Sequence, residues 1–253
     1  MTITNDFHDV LIAKMESRAP LDEEDRTAIR ELTCTSRVIA TQSYLTREGE
    51  RPLHCAFLVD GFAYRHKLTS DGARQIVGIM MPGDFTDLQQ LFLIEADHNV
   101  QALTRLEIAD IAIPQLQALV LTRPNISRAL WVDALVEGSM TREAVLNIGR
   151  RDGAARIAHL LCEFETRLAA AGLADRGYEL PMSQEQIGDA TGMTSVHVNR
   201  TVKQLEKEGL IARSGRNNRS LRITDWRGLQ VRADFNPRYL HLDQNSAMRI
   251  ARR

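Results

Sequence analysis

The residues best equipped for chemistry lie near the C-terminal end of the chain. Between Ser183 and Glu208 the sequence runs Ser-Gln-Glu-Gln-Ile-Gly-Asp-Ala-Thr-Gly-Met-Thr-Ser-Val-His-Val-Asn-Arg-Thr-Val-Lys-Gln-Leu-Glu-Lys-Glu. Its second half carries Ser195, His197, Asn199, Arg200 and Lys203. These hydroxyl, imidazole, amide and cationic groups hydrogen-bond base edges and phosphates. Val198, Val202 and Leu205 fall among them at helical spacing, which predicts one buried stripe and one polar, basic face. A helix that merely braced a core needs no such face, so the chemistry expected is recognition of double-stranded DNA.

The elements needed to hold that face are written around it. Ser183 and Gln186 form the Ser-x-x-Gln capping box that starts a helix, and Ile187 and Ala190 give it a buried side. Gly192 ends it in a tight turn, and Thr194 or Ser195 caps a second helix. Gly188 stands where the two helices must touch. Two short helices about a glycine turn make a helix-turn-helix. Gly209-Leu210-Ile211 then leads into a strand, Arg213 to Ser220 form a basic turn, and Leu221-Arg222-Ile223 return as a second strand. This β-wing places Arg213, Arg216, Asn217 and Arg219 near phosphates. Ser183, Gln184 and Thr194, at the helix starts, complete the candidate DNA-contacting set.

Total charge hides this arrangement. The 253 residues hold 32 Lys plus Arg and 33 Asp plus Glu, a net charge of -1. Residues 196–232 carry nine bases and three acids, a net +6, and residues 233–253 carry +2, which leaves -9 for the rest. An acidic body with a short basic patch suits a DNA-binding protein of neutral total charge. A composition 43% hydrophobic and 26% charged excludes a disordered or fibrous chain.

Upstream, residues 1–36 form a helical segment interrupted at Pro20. Residues 37–123 hold short runs rich in Val, Ile, Phe and Tyr, broken at Glu48-Gly49, Asp60-Gly61, Asp71-Gly72 and Pro82-Gly83-Asp84. Turn signals at that interval predict an antiparallel barrel or sandwich. Residues 124–150 read as one long helix with a seam at Leu130, Ala134, Gly138, Thr141, Val145 and Ile148, where small residues admit a second copy of the helix. A break at Gly153 is the expected hinge, and residues 151–226 form the winged helix-turn-helix, followed by a tail over 227–253. The fold class expected is α+β: an N-terminal antiparallel β-roll, a long dimerisation helix and a C-terminal winged helix-turn-helix.

That order of parts, with Pro82-Gly83-Asp84-Phe85 in the roll and Gly192-Met-Thr-Ser-Val-His-Val-Asn-Arg200 in the reader, resembles the Crp/Fnr family of bacterial transcription regulators over residues 20–226. The resemblance implies a homodimer on a palindromic operator, with half-sites about one DNA turn, roughly 34 Å, apart. It also implies an effector pocket in the roll, here Gly83, Asp84, Phe85, Asp97 and His98, with Thr141 and Arg142 from the long helix, and RNA polymerase as a partner. Cyclic-nucleotide members carry an arginine for the cyclic phosphate, and the matching stretch here is Ala96-Asp97-His98-Asn99. A phosphate would meet Asp97, so cyclic AMP is not expected to bind in the usual way. Cys34 and Cys55 cannot supply four ligands, so no iron–sulfur cluster is expected, nor haem, and no metal or other cofactor. The reader also departs from well-known members, which carry an Arg-Glu pair where this chain has Ser195-Val196.

The remaining candidates read as structural. His54, His66 and His98 lack metal-ligand spacing, and Cys55 and Cys162 read as reduced core thiols. Phe85, Phe92 and Leu93 read as core. Two rival readings are a cupin-like metalloenzyme, which lacks its His-x-His here, and a protein-interaction adaptor. No stretch is long and apolar enough for a membrane span, and no signal peptide is seen, so a cytoplasmic, non-enzymatic protein is expected.

Overall fold

The structure, a computed structural model, describes residues 4–173, 180–214 and 220–242. The described residues divide into two compact units, one of those up to Arg65 with 79–138 and 241–242, the other of 66–78 with those from 139 to 240.

Residues 34–112 form two antiparallel sheets. One orders β1 (Cys34–Ile39), β7 (Leu106–Ala112) and β3 (His54–Asp60) as β1-β7-β3. The other orders β2 (Tyr44–Thr46), β6 (Asn99–Ala102), β4 (Ala63–Leu68) and β5 (Arg74–Met80) as β2-β6-β4-β5. Period-two alternation divides the core between two faces. Ala56, Leu58, Leu106 and Ile108 point into the roll with Val100 and Ala102. Their neighbours Cys55, Phe57, Ala109 and Ile111 point outward, beneath a helical layer. That layer is α1 (Thr4–Arg18), α2 (Glu23–Arg30), α3 (Ile113–Thr122) and the start of α4 (Pro124–Arg150), and it buries Phe7, Leu11, Met15, Ile29, Leu116 and Ile126. Asp22 and Asp25 cap α2 reciprocally.

In the second unit, α5 (Gly153–Ala170) follows α4, with Asp152 as its N-cap accepting from Ala155 N at 2.9 Å. Two short helices, α6 (Gln184–Thr191) and α7 (Ser195–Lys207), pack against it, and β8 (Ile211–Ser214) pairs with β9 (Ser220–Ile223) in the register Ile211 to Ile223. The α+β architecture is the one the sequence predicts, with one correction at its end. Residues 227–242 are no tail: Asp225 caps α8 (Trp226–Ala233), whose Leu229 and Ala233 are fully buried, and a 3-10 turn at Pro237–Leu240 follows. Apolar spacing at 229, 233 and 240 is too sparse to stand out in the sequence, yet it seals α5. Tyr239 donates to Glu163 Oε2 at 2.7 Å, and His159 stacks on its ring with centroids 5.8 Å apart. Arg249 to Arg253 lie outside the described residues.

The long helix also differs from its expected seam. Leu130 is buried with Ile126 and Ala129 in the chain's own core, and Ile148 lies half-buried against Gly192. The outward stripe is instead Trp131, Ala134, Leu135, Thr141, Arg142 and Val145, with half-buried Gly138 between. Trp131, Leu135 and Val145 are 62%, 65% and 67% exposed. Ala134, Thr141 and Val145 of the expected seam are exposed and Gly138 is half-buried, while Leu130 lies in the core cluster that holds the apolar residues of α1. Phe92 and Leu93 are likewise exposed rather than core, and Phe92 stacks on Trp131 at 6.5 Å.

Candidate nucleic-acid interface

The reader is assembled by contacts that the sequence foreshadows. Ser183 Oγ accepts from Gln186 N at 3.2 Å while Gln186 Oε1 accepts from Ser183 N at 2.8 Å, closing the capping box of α6. Gly192 caps the other end at φ +66°, a left-handed conformation that L side chains resist. At Gly188 a Cβ would lie 2.4 Å from Met193 O, so the turn can fold back over α6 only on a glycine. Thr194, rather than Ser195, caps α7, accepting from His197 N at 3.3 Å. Val198, Val202 and Leu205 are buried to 0%, 2% and 0% exposure and plug α7 onto the frame, with Ile187 of α6 also buried.

With that stripe buried, Ser195, Val196, Arg200 and Lys203 face outward and Asn199 is half-exposed. Arg200 and Lys203 make no hydrogen bond or ion pair with any described residue. Asn199 donates to Gln184 Oε1 at 3.2 Å, linking the N-terminus of α6 to the outward face of α7. His197 takes a different role from the expected one. It is half-buried, and its Nε2 would lie 3.0 Å from a Cβ at Gly153, so the ring packs on the start of α5 instead of facing outward. Val196, which the polar inventory passed over, is 79% exposed on the first turn.

In the wing, Arg213 is half-buried and its Nε donates to Glu206 Oε2 on α7 at 3.1 Å, so it braces the wing instead of standing free for phosphate. Arg216, Asn217 and Arg219 lie outside the described residues.

The expected hinge at Gly153 is a densely bonded junction. Arg151 donates to Glu143 Oε1 at 2.7 Å and to Asp234 O at 3.2 Å. Arg156 reaches Arg151 O at 2.8 Å and Thr191 O at 3.0 Å, and Arg232 of α8 binds Asp152 at 2.9 Å. Beneath it, burial and the nearby Arg151 guanidinium push the His159 imidazole down to about 4. Glu143 Oε1 lies 3.3 Å from its Nε2 but is already engaged by Arg151. The hairpin tip between β4 and β5 joins the same unit: Arg74 donates to Asp189 Oδ2 at 2.7 Å and Gln75 to Asp189 O at 2.6 Å, both on α6.

The expected effector residues of the roll are committed to one another. Asp84 accepts from Met81 N at 3.0 Å and from Lys14 Nζ of α1 at 2.9 Å. Lys14 also pairs with Asp133 of α4 at 3.2 Å, and Arg18 with Asp133 at 2.8 Å. Burial opposes the Lys14 ammonium, but Asp133 and Asp84 outweigh it and hold its pKa above the usual lysine value. Arg65 donates to Thr86 O at 2.9 Å and to Phe85 O at 3.3 Å, and pairs with Glu137. Burial lifts Asp87 above the usual carboxylate range despite nearby His98 and Arg65, and Asp97 binds the His98 ring at 2.7 Å. Phe85 sits in the core edge-on to Phe57. Thr141 and Arg142 belong to the other unit, where Arg142 binds Ser139. Around the Pro82–Asp84 turn the carboxylates are Asp84 and Asp87, and the cations Lys14 and Arg65 are each held by carboxylates or carbonyl oxygens. Lys14, Arg65 and Asp87 were not singled out in the sequence, because each needs a fold to bring it to the Pro82–Asp84 turn.

No metal site emerges among the described residues, where no group of three or more His, Cys, Asp or Glu side chains is placed to hold an ion. Cys55 and Cys162 are fully buried, and burial pushes both thiols up to about 12.

Comparison with known proteins matches this arrangement twice. Residues 36–123 match the cyclic nucleotide-binding domain and residues 155–232 the Crp-like helix-turn-helix domain. The nitrogen fixation regulation protein FixK of Bradyrhizobium diazoefficiens is 30% identical over 192 residues, covering 74% of this chain and 79% of FixK. The chain belongs to the Crp/Fnr family. This regulator is also 27% identical over 212 residues to the transcriptional activator protein FnrL of Cereibacter sphaeroides, covering 82% of this chain and 84% of FnrL. The solved structure of FixK2 from Bradyrhizobium japonicum superposes with a TM-score of 0.71 at 27% identity, over 79% of this chain and 97% of that one. The protein is therefore a DNA-binding transcription regulator of this family, with a β-roll joined by a long helix to a helix-turn-helix. No described helix is long and apolar enough to cross a membrane.

Proposed function

We propose that this Crp/Fnr-family regulator binds a palindromic operator as a homodimer and does so without cyclic AMP. The observation that carries the reading is the outward face of α7, where Asn199, Arg200 and Lys203 are presented by a capped, plugged helix pair. The dimer rests on α4. Trp131, Leu135 and Val145 leave an apolar stripe uncovered along a helix, and a second copy of the same stripe covers it by helix pairing about a two-fold axis. Independence from cyclic AMP is supported by the ion pairs of Lys14 with Asp84 and Asp133 and of Arg65 with Glu137, which leave neither cation unpaired for a phosphate. The protein performs no catalysis and requires no haem, iron–sulfur cluster or metal. RNA polymerase is the partner through which a cytoplasmic regulator of this kind acts on transcription.

Any signal sensed in the roll reaches the reader by shifting packing at α4 and at the bonded Gly153 junction. Stoichiometry tests the reading. Sedimentation of the purified protein with a duplex carrying its operator should give two chains per duplex. One chain per duplex, or retention of any duplex equally at physiological salt, contradicts it.

A further inference from the structure

We propose that Val196 reads a thymine methyl group in the major groove and so fixes one base of each half-site. Positions 196, 199, 200 and 203 share one face of α7, being spaced by three, four and seven residues. Asn199, Arg200 and Lys203 on that face are hydrogen-bonding or charged, whereas Val196 is an apolar, β-branched side chain left 79% exposed. Such a residue lowers helix propensity and adds nothing to the buried plug, which Val198, Val202 and Leu205 already form. Its neighbour His197 turns toward Gly153, so the first turn offers the groove Ser195 and Val196 alone among its exposed side chains after the Thr194 cap.

The floor of the major groove presents donors and acceptors at every base pair, and one apolar group, the 5-methyl of thymine. An isopropyl side chain at the tip of a recognition helix is complementary to that group and to no other base edge. Val196 lies one turn before Arg200. Four residues at about 1.5 Å per residue span about 6 Å along the axis, or about two base-pair rises. The thymine therefore lies one to two base pairs from the base or phosphate contacted by Arg200.

The inference rests on α7 being the DNA reader, and a test can separate the two. Once the operator is known, each thymine of a half-site is replaced singly by deoxyuridine, which keeps every hydrogen bond and removes only the methyl. One such replacement should weaken binding of the wild-type protein about fourfold, the effect of one buried methyl-sized group. Val196→Ala should bind the unmodified operator about as weakly and ignore that replacement, while Val196→Thr, which keeps one methyl, should retain part of the sensitivity. Val196 is exposed, so both variants should keep the wild-type melting temperature. If no thymine methyl matters to the wild type, or if Val196→Ala remains equally sensitive, the assignment is wrong even though Arg200→Ala still weakens operator binding and relaxes preference at its own position. If Arg200→Ala leaves specific binding intact, the reader itself has been misplaced.

Discussion

At the residue scale, the reader rests on a side chain left without a partner. Arg200 is exposed on α7 and bonds to no described residue, so its donors are available to guanine or phosphate. Arg200→Ala should cost about 1–3 kcal/mol on the operator and relax preference at one position, with little change on unrelated DNA, as titrations on both duplexes would show. His159 makes a second residue-scale prediction. Its pKa in the fold is about 4, below the 6.5 of an unfolded histidine, so the unfolded chain takes up the proton first. Stability should fall as pH drops from about 6.5 toward 4, by at most about 3 kcal/mol, and His159→Phe should flatten that slope in thermal melts. Both residues show what a sequence conceals. Arg200 was legible because its exposure follows from the buried stripe at 198, 202 and 205. His197 and Arg213 looked equally available, but one packs against Gly153 and the other pairs with Glu206, contacts set by partners distant in the chain.

At the element scale, the helix-turn-helix was legible almost whole, since its capping box, turn glycine and plug are local and each has one physical meaning. Gly188 makes the strictest demand, because a methyl there meets Met193 O at 2.4 Å. Gly188→Ala should destabilise the protein by about 1–3 kcal/mol and weaken DNA binding in proportion, measured by melting and titration together. Of the expected α4 seam, Ala134, Thr141 and Val145 are exposed while Leu130 is buried. Which side of an amphipathic helix faces its own core depends on what packs there, and α1 covers Leu130 while Trp131 and Leu135 remain outside. Leu135→Asp should therefore yield monomers by light scattering with poor operator binding, whereas a polar substitution at Leu130 should lower stability instead. Helix α8 escaped notice because three buried residues over twelve leave no period to read.

For the whole molecule, charge is arranged by unit and not by total. Residues 196–232 carry +6 inside a chain of net charge -1, which concentrates phosphate attraction where the reader lies. The acidic body has its own consequence at the Pro82–Asp84 turn. Lys14 and Arg65 are spent on Asp84, Asp133 and Glu137, so calorimetry with cyclic AMP should show no saturable heat, and Lys14→Met should loosen α1 without creating a nucleotide site. The motif Pro82-Gly83-Asp84-Phe85 was visible in the sequence; its ion pairs were not, because they join α1, β4 and α4 across more than a hundred residues.

The most direct test of a dimeric DNA reader that needs no cyclic AMP is selection of bound sequences from a random duplex pool, using the protein as purified. Enrichment of an inverted repeat with half-site centres about one helical turn apart is the expected result. Recovery of a single half-site, or of no enriched sequence unless cyclic AMP is added, would contradict the account.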